Sequence, residues 1–220
     1  MLEKGNTMNI IEEISAFLQR GRAPKVKELV EQAIQEGIDA KTILEDGLLS
    51  AMSVVGEKFK NNEVFVPEVL VAARAMNAGI EILKPHLSAN GVTAKGVAVI
   101  GTVKGDLHDI GKNLVKMMLE GKGIEVYDLG VDVSAEAFIE GAKEHGASII
   151  CCSALLTTTM NEMKNVVDKA EEAGIRNKVK IMVGGAPISQ AFCDSIGADY
   201  YTLDAATAAD VALKICCGEA

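Results

Sequence analysis

The chain has 220 residues, 49% of them apolar, and a formal net charge of −9. That is enough apolar material for a sizeable core in one large or two small domains. The acidic balance, with no Lys/Arg-dense stretch, excludes a nucleic-acid or anionic-membrane surface, which needs clustered positive charge, so partners are expected among proteins and small molecules.

Met1 to Asn9 are polar and charged, and no later window approaches 18 uninterrupted apolar residues, which predicts a soluble, unexported chain. From Asn9 to about Leu87 the apolar residues recur at helical spacing. Ile10, Ile11, Ile14, Phe17 and Leu18 form one stripe, Val26, Leu29, Val30, Ala33 and Ile34 a second, and Ile43, Leu44, Leu48, Met52 and Val55 a third. Gly21 with Pro24, Gly37 with Asp39, and Asn61-Asn62 mark ends and starts. Pro67 suits the first turn of a fourth helix through Val69, Leu70, Ala73, Met76, Ile80 and Leu83. Short loops between four such helices predict an antiparallel four-helix bundle over residues 1–90.

The pattern stops around Ser88-Ala89-Asn90-Gly91, and over residues 91–220 strands apolar on both faces alternate with helices. Strands are expected at Val97–Ile100, Val126–Leu129, Ser148–Cys152, Lys180–Val183 and Tyr200-Tyr201. Helices are expected at Ile110–Leu119, Ala135–Glu144, Met160–Ala173, Ser189–Ser195 and Ala205–Cys216. Such alternation predicts a doubly wound, flavodoxin-like α/β domain with a five-stranded parallel sheet covered on both faces. The cysteines, Cys151-Cys152, Cys193 and Cys216-Cys217, offer neither a Cys-x-x-Cys zinc spacing nor a disulfide framework. They point to a reducing cytoplasm, with Cys151 and Cys152 as small core residues of the third strand.

In a doubly wound sheet, ligands sit at the carboxyl ends of the strands, so chemistry is sought in the loops that follow them. The first such loop contains Asp106-Leu107-His108-Asp109-Ile110-Gly111. Here His108 can offer one ring nitrogen to a metal while Asp106 accepts a proton from the other. A histidine beside two aspartates is also what a solvated loop looks like. The loop after the third strand, Ser153-Ala154-Leu155-Leu156-Thr157-Thr158-Thr159, is rich in hydroxyls, and the loop after the fourth carries Gly184-Gly185. Thr159 with Glu162 also reads as a capping box, and paired glycines as a tight turn.

Taken together, these loops resemble the cobalamin-binding domains of the methionine synthase type. Asp106-x-His108-x-x-Gly111 is followed by 41 residues to Ser153-x-Leu155 and then 28 residues to Gly184-Gly185, the residue types and spacing of that family. The resemblance implies that cobalamin binds with its lower base displaced and that His108 ligates the cobalt. Asp106 is then the partner of His108, and Asp109 and Gly111 flank them. The nucleotide tail is expected to run past Ser153, Leu155, Gly184 and Gly185, with Thr157 and Thr159 as further contacts and Thr159 extending the His108-Asp106 pair. The segment Phe65-Val66-Pro67-Glu68-Val69-Leu70, continuing to Met76, is similar to a helical cap over the upper corrin face. Val66, Leu70 and Met76 are its candidate contacts, although ordinary bundle packing also accounts for them.

With bundle and α/β domain together, the chain looks like the small corrinoid proteins of methylotrophic methyltransferase systems. It is then a carrier subunit, cycling between cob(I)alamin and methylcob(III)alamin. A substrate-specific methyltransferase loads the methyl group from a methanol, methylamine or betaine donor. A corrinoid-to-acceptor methyltransferase removes it to a thiol or to tetrahydrofolate, and a reductive activation protein restores the cofactor. A cobalamin-dependent mutase small subunit has no need of the bundle. A cobalamin-sensing regulator carries an added DNA-binding module, for which an acidic chain of this length is expected to leave no room.

Overall fold

Each apolar stripe of the N-terminal half becomes helical in the computed structural model, which describes residues 4–89 and 93–219. Helix α1 (Lys4–Gln19) buries Ile10, Ile14 and Leu18, and α2 (Ala23–Gln35), with Pro24 in its first turn, buries Val26, Leu29, Val30 and Ala33. Gly21 between them has φ +67°, and a side chain there would run into Val71 of the last bundle helix, so this turn requires glycine.

The third stripe departs from a regular helix. Short α3 (Ala40–Thr42) passes into a π-helical turn, Ile43–Leu49, and then into α4 (Ser50–Lys60), with the Ser50 N–H donating to the Glu45 carbonyl. The wider turn places Leu48 and Leu49 side by side in the core and leaves Leu44 only half-buried. It also sets Gly47 against Ile14, where an added Cβ would sit 3.3 Å from Cγ2. A 3.6-residue period, which pointed to Leu44 rather than Leu49, cannot describe such a segment. Helix α5 (Val66–Ala89) has Pro67 in its first turn, and Glu68 reaches back to accept the Phe65 N–H at 3.0 Å. α5 packs on α2 and α4, and α1 on α2 and α4, completing the bundle.

The second unit is the expected doubly wound α/β domain. Strands β1 (Gly96–Thr102), β2 (Ile124–Asp128), β3 (Ile149–Ser153), β4 (Lys180–Gly184) and β5 (Tyr200–Tyr201) form one all-parallel sheet in the order β2-β1-β3-β4-β5. Between and after them come α6 (Ile110–Glu120), α7 (Ala135–Glu144), α8 (Glu162–Glu172), α9 (Gln190–Ile196) and α10 (Ala205–Cys217). Its core gathers Val99, Phe138, Ile150, Val166, Ile181 and Val183. Cys151 and Cys152 are buried in β3, and burial pushes the Cys151 thiol up to about 12, which makes both inert core residues.

The chain divides into Met1–Thr93 and Ala94–Ala220. The boundary expected after Asn90 lies outside the described residues. Among the described residues, no helix is long and apolar enough to cross a membrane.

Candidate functional site

The strand order reverses between β1 and β3, and the crevice outside that switch point is where an open α/β sheet binds ligands. Parallel register sets the stage. Thr102 of β1 lies opposite Ser153 of β3, and Ser153 opposite Gly184 of β4, so the three loops leave the sheet from one transverse row.

Asp106, fully buried, ties the first of these loops to the second. Its Oδ1 accepts the His108 backbone N–H at 3.1 Å and faces His108 Nδ1 at 2.8 Å. Its Oδ2 accepts the Leu155 N–H at 2.8 Å, the Leu156 N–H at 3.2 Å and the Thr159 hydroxyl at 2.8 Å. Burial alone pushes a carboxyl up. Here the Leu155 N–H, the His108 ring and N–H, and the Thr159 hydroxyl overcome it and hold Asp106 well below the usual carboxylate range. An ionised Asp106 is acceptor-only, so the proton of the pair sits on Nδ1 and the lone pair on Nε2. The His108 side chain is 52% exposed, and its carbonyl is held from beneath by the buried Thr102 hydroxyl at 2.7 Å.

The other expected residues fall around this pair. Asp109 precedes α6 and accepts from the Asn113 amide at 3.2 Å, and Gly111 is exposed with nothing within 4 Å of an added Cβ. Ser153 is half-buried at the end of β3, Leu155 is exposed, and Thr157 is exposed without joining the Asp106 network. The capping alternative for Thr159 does not hold: α8 begins later, at Glu162, and the Thr159 hydroxyl points to Asp106 and to the Leu156 carbonyl at 3.0 Å. Gly185 has φ +132°, and a side chain there would collide with the Ala154 carbonyl, whereas Gly184 has room, its nearest neighbour being the Thr202 carbonyl at 3.9 Å. In the bundle unit, Val66 is half-buried and Leu70 exposed. Met76 is fully buried on the stripe of α5 that also carries Val69, Ala73 and Leu83.

Sequence reasoning missed Thr102, the Leu156 N–H and Asp132, the last of which accepts the Gly105 N–H at 2.6 Å. None of them belongs to the side-chain pattern of the three loops.

Chemically, the edge presents one oriented imidazole in an apolar rim. Leu107 and Ile110, on either side of His108, are 71% and 75% exposed, and Leu155 and Leu156 are exposed beside them. Among the described residues, no three His, Cys, Asp or Glu side chains gather as they would to hold a bare ion. One imidazole donor, exposed leucines and an open glycine fit a metal already enclosed in a flat apolar macrocycle with a trailing tail.

Comparison with known proteins agrees. The B12 binding domain family matches residues 96–214, and a second B12 binding domain family matches residues 10–84. The chain is 40% identical over 211 residues to a corrinoid protein of Desulfitobacterium hafniense, covering 94% of this chain and 98% of that one. It is 45% identical over 190 residues to trimethylamine corrinoid protein 1 of Methanosarcina acetivorans, covering 86% and 87%. The methanol:cobalamin methyltransferase complex from Methanosarcina barkeri superposes with a TM-score of 0.87 at 33% identity, over 98% of this chain and 81% of that chain. A fold of helical bundle plus doubly wound sheet, a single oriented histidine at the switch point and these relatives together lead to one conclusion: the chain belongs to the family of B12-binding corrinoid proteins.

Proposed function

We propose that this protein carries a corrinoid through His108 and moves a methyl group between two methyltransferases in a reducing cytoplasm. The observation that carries the reading is the His108-Asp106-Thr159 chain, which leaves Nε2 as the only ring nitrogen with a lone pair to donate on the exposed side. When bound, the corrinoid supplies a cobalt centre able to accept and release a methyl group.

The chain's own residues do the rest. Asp106 fixes the ring and its tautomer and, because it stays ionised, stabilises the added positive charge of an imidazole that is donating to a metal. Thr159, Leu155 and Leu156 keep the carboxylate in place as His108 engages and disengages. Gly184 leaves space, and Ser153, Thr157 and Leu155 offer hydroxyls and apolar surface, for the cofactor's tail, with Asp109 and Gly111 at the margin. Of the bundle candidates for the cofactor, Leu70 is exposed and Val66 half-buried.

The loading partner is a substrate-specific methyltransferase for a methanol, methylamine or betaine donor, and the trimethylamine relative weights the choice toward a methylated amine. A corrinoid-to-acceptor methyltransferase, passing the group to a thiol or tetrahydrofolate, and a reductive activation protein complete the system. The cobalamin-dependent mutase subunit is not favoured, because the matched bundle and the corrinoid-protein relatives have no place in that reading.

The test is to replace His108 with Ala, reconstitute both proteins with methylcobalamin and record visible spectra and affinity. Wild type is expected to show the histidine-ligated form. His108→Ala should lose it and bind at least about 10-fold more weakly. Identical cobalt coordination in the two proteins would falsify the reading.

A further inference from the structure

The loop that carries His108 is fastened at both ends to one short segment of chain, residues 128–132. At the near end, Asp132 sits at φ 55°, a left-handed conformation rare for residues other than glycine, asparagine and aspartate. Its side chain accepts the Gly105 N–H at 2.6 Å, and its own N–H donates to the Asp106 carbonyl at 3.0 Å. One residue therefore grips two successive residues, and Gly105 is itself left-handed at φ +79°.

At the far end, Lys112 in the first turn of α6 is only 3% exposed. Its ammonium lies 2.6 and 2.7 Å from the two carboxylate oxygens of Asp128, the last residue of β2. Asp128 also accepts the Gly130 N–H at 3.0 Å, while Lys112 holds the Asn113 side chain at 2.7 Å, which in turn reaches Asp109. The stretch from Asp128 to Asp132 is thus bonded to residues on both sides of His108. A carboxylate does not need a left-handed backbone to cap a turn. The arrangement makes sense where the placement of the gripped residues matters.

We infer that segment 128–132 is a positioning element for His108, with Asp132 acting through Gly105 and Asp106 to set where its Nε2 stands. The inference rests on the reading of His108 as a cobalt ligand. Substitution can separate the side-chain bond from the backbone conformation. Asp132→Gly keeps the left-handed backbone without strain and removes the acceptor, whereas Asp132→Asn keeps both.

The full-length protein and both variants are reconstituted with cobalamin and reduced to Co(II), and the nitrogen splitting in the EPR spectrum gives the histidine-ligated fraction. Cofactor affinity and, in the apoprotein, Gly105 amide hydrogen exchange are measured alongside. Asp132→Gly should lose most of the nitrogen-ligated signal, bind cobalamin roughly 10-fold more weakly and exchange Gly105 faster. Asp132→Asn should stay within about twofold of wild type, because its side-chain oxygen still accepts the bond. Equal behaviour of Asp132→Gly and wild type overturns the inference, and so does an equal loss in both variants. If wild type shows no nitrogen on cobalt, it is the ligation reading that fails, and Gly105 exchange alone then decides whether Asp132 is the clamp.

Discussion

Asp106 has two oxygens and five donors, and no surface on which water could replace any of them. Asparagine at this position keeps the shape but turns one acceptor into a donor that must face either the His108 groups or the Leu155, Leu156 and Thr159 groups. Toward His108 the ring can switch tautomer and accept, yet the backbone N–H still loses its partner, and toward the other side three donors do. Asp106→Asn should therefore lower stability by about 1–3 kcal/mol, measured by urea unfolding of the apoprotein. The pH dependence has a fixed sign. A carboxyl depressed by folding contributes stability that is present above its unfolded value, about 3.9, and lost as pH falls toward the lower folded value. Acid unfolding of wild type below about pH 4 should thus be steeper than that of Asp106→Asn, and parallel curves would contradict this account.

How much of this residue's environment shows in the sequence depends on how each partner takes part. His108 lies two residues from Asp106, and the spacing discloses the pair. Thr159 carries a hydroxyl in the right loop, but whether it caps α8 or serves Asp106 turns on where the helix starts, and propensity places helix starts poorly. Leu155 and Leu156 contribute N–H groups, which nearly every residue owns, so no side-chain motif can announce them. Asp132 acts through a left-handed turn in a loop that the periodicities leave blank.

At the scale of elements, the β4–α9 turn separates two glycines that look alike in sequence. Gly185 is demanded by the fold, since it combines φ +132° with the Ala154 carbonyl where a side chain would stand, while Gly184 is demanded by nothing in the chain itself. Gly185→Ala should cost about 3 kcal/mol or prevent folding. Gly184→Ala should leave apoprotein stability within about 0.5 kcal/mol and yet weaken cobalamin binding. Thermal melts with and without cofactor distinguish the two, and a destabilised Gly184→Ala apoprotein would show that the open space belongs to the core. Every strand was legible to within two residues at each end, the inner strands β1, β3 and β4 because parallel strands buried on both faces read as apolar runs. The π-helical turn at Ile43–Leu49 was not legible. Gly47 packs there against Ile14 of a different helix, and a contact of that kind has no signature within its own segment.

At the scale of the whole molecule, the two units Met1–Thr93 and Ala94–Ala220 each enclose a core of their own. Met76→Ala, which empties a fully buried site on α5, should cost about 2–5 kcal/mol and lower the bundle unit's calorimetric transition by about 10 °C or more. The transition of the α/β unit should stay where it is. A shift of both by the same amount would mean that the cores unfold as one. The change of architecture from helical bundle to α/β sheet shows in the sequence because the period of the apolar pattern passes from helical to strand-like, a change that needs no tertiary contact to be seen.

Leu155, Leu156 and Thr159 reach Asp106 across 49, 50 and 53 residues of chain. A chain leaving the ribosome therefore has its histidine long before it has an oriented one, because the groups that fix the carboxylate arrive with the third strand and its loop. On the reading of His108 proposed above, the site is complete only once the loop of the third strand has joined that of the first. Pigment on the protein is in that sense a certificate, visible to the eye, that two distant stretches of backbone have already found each other.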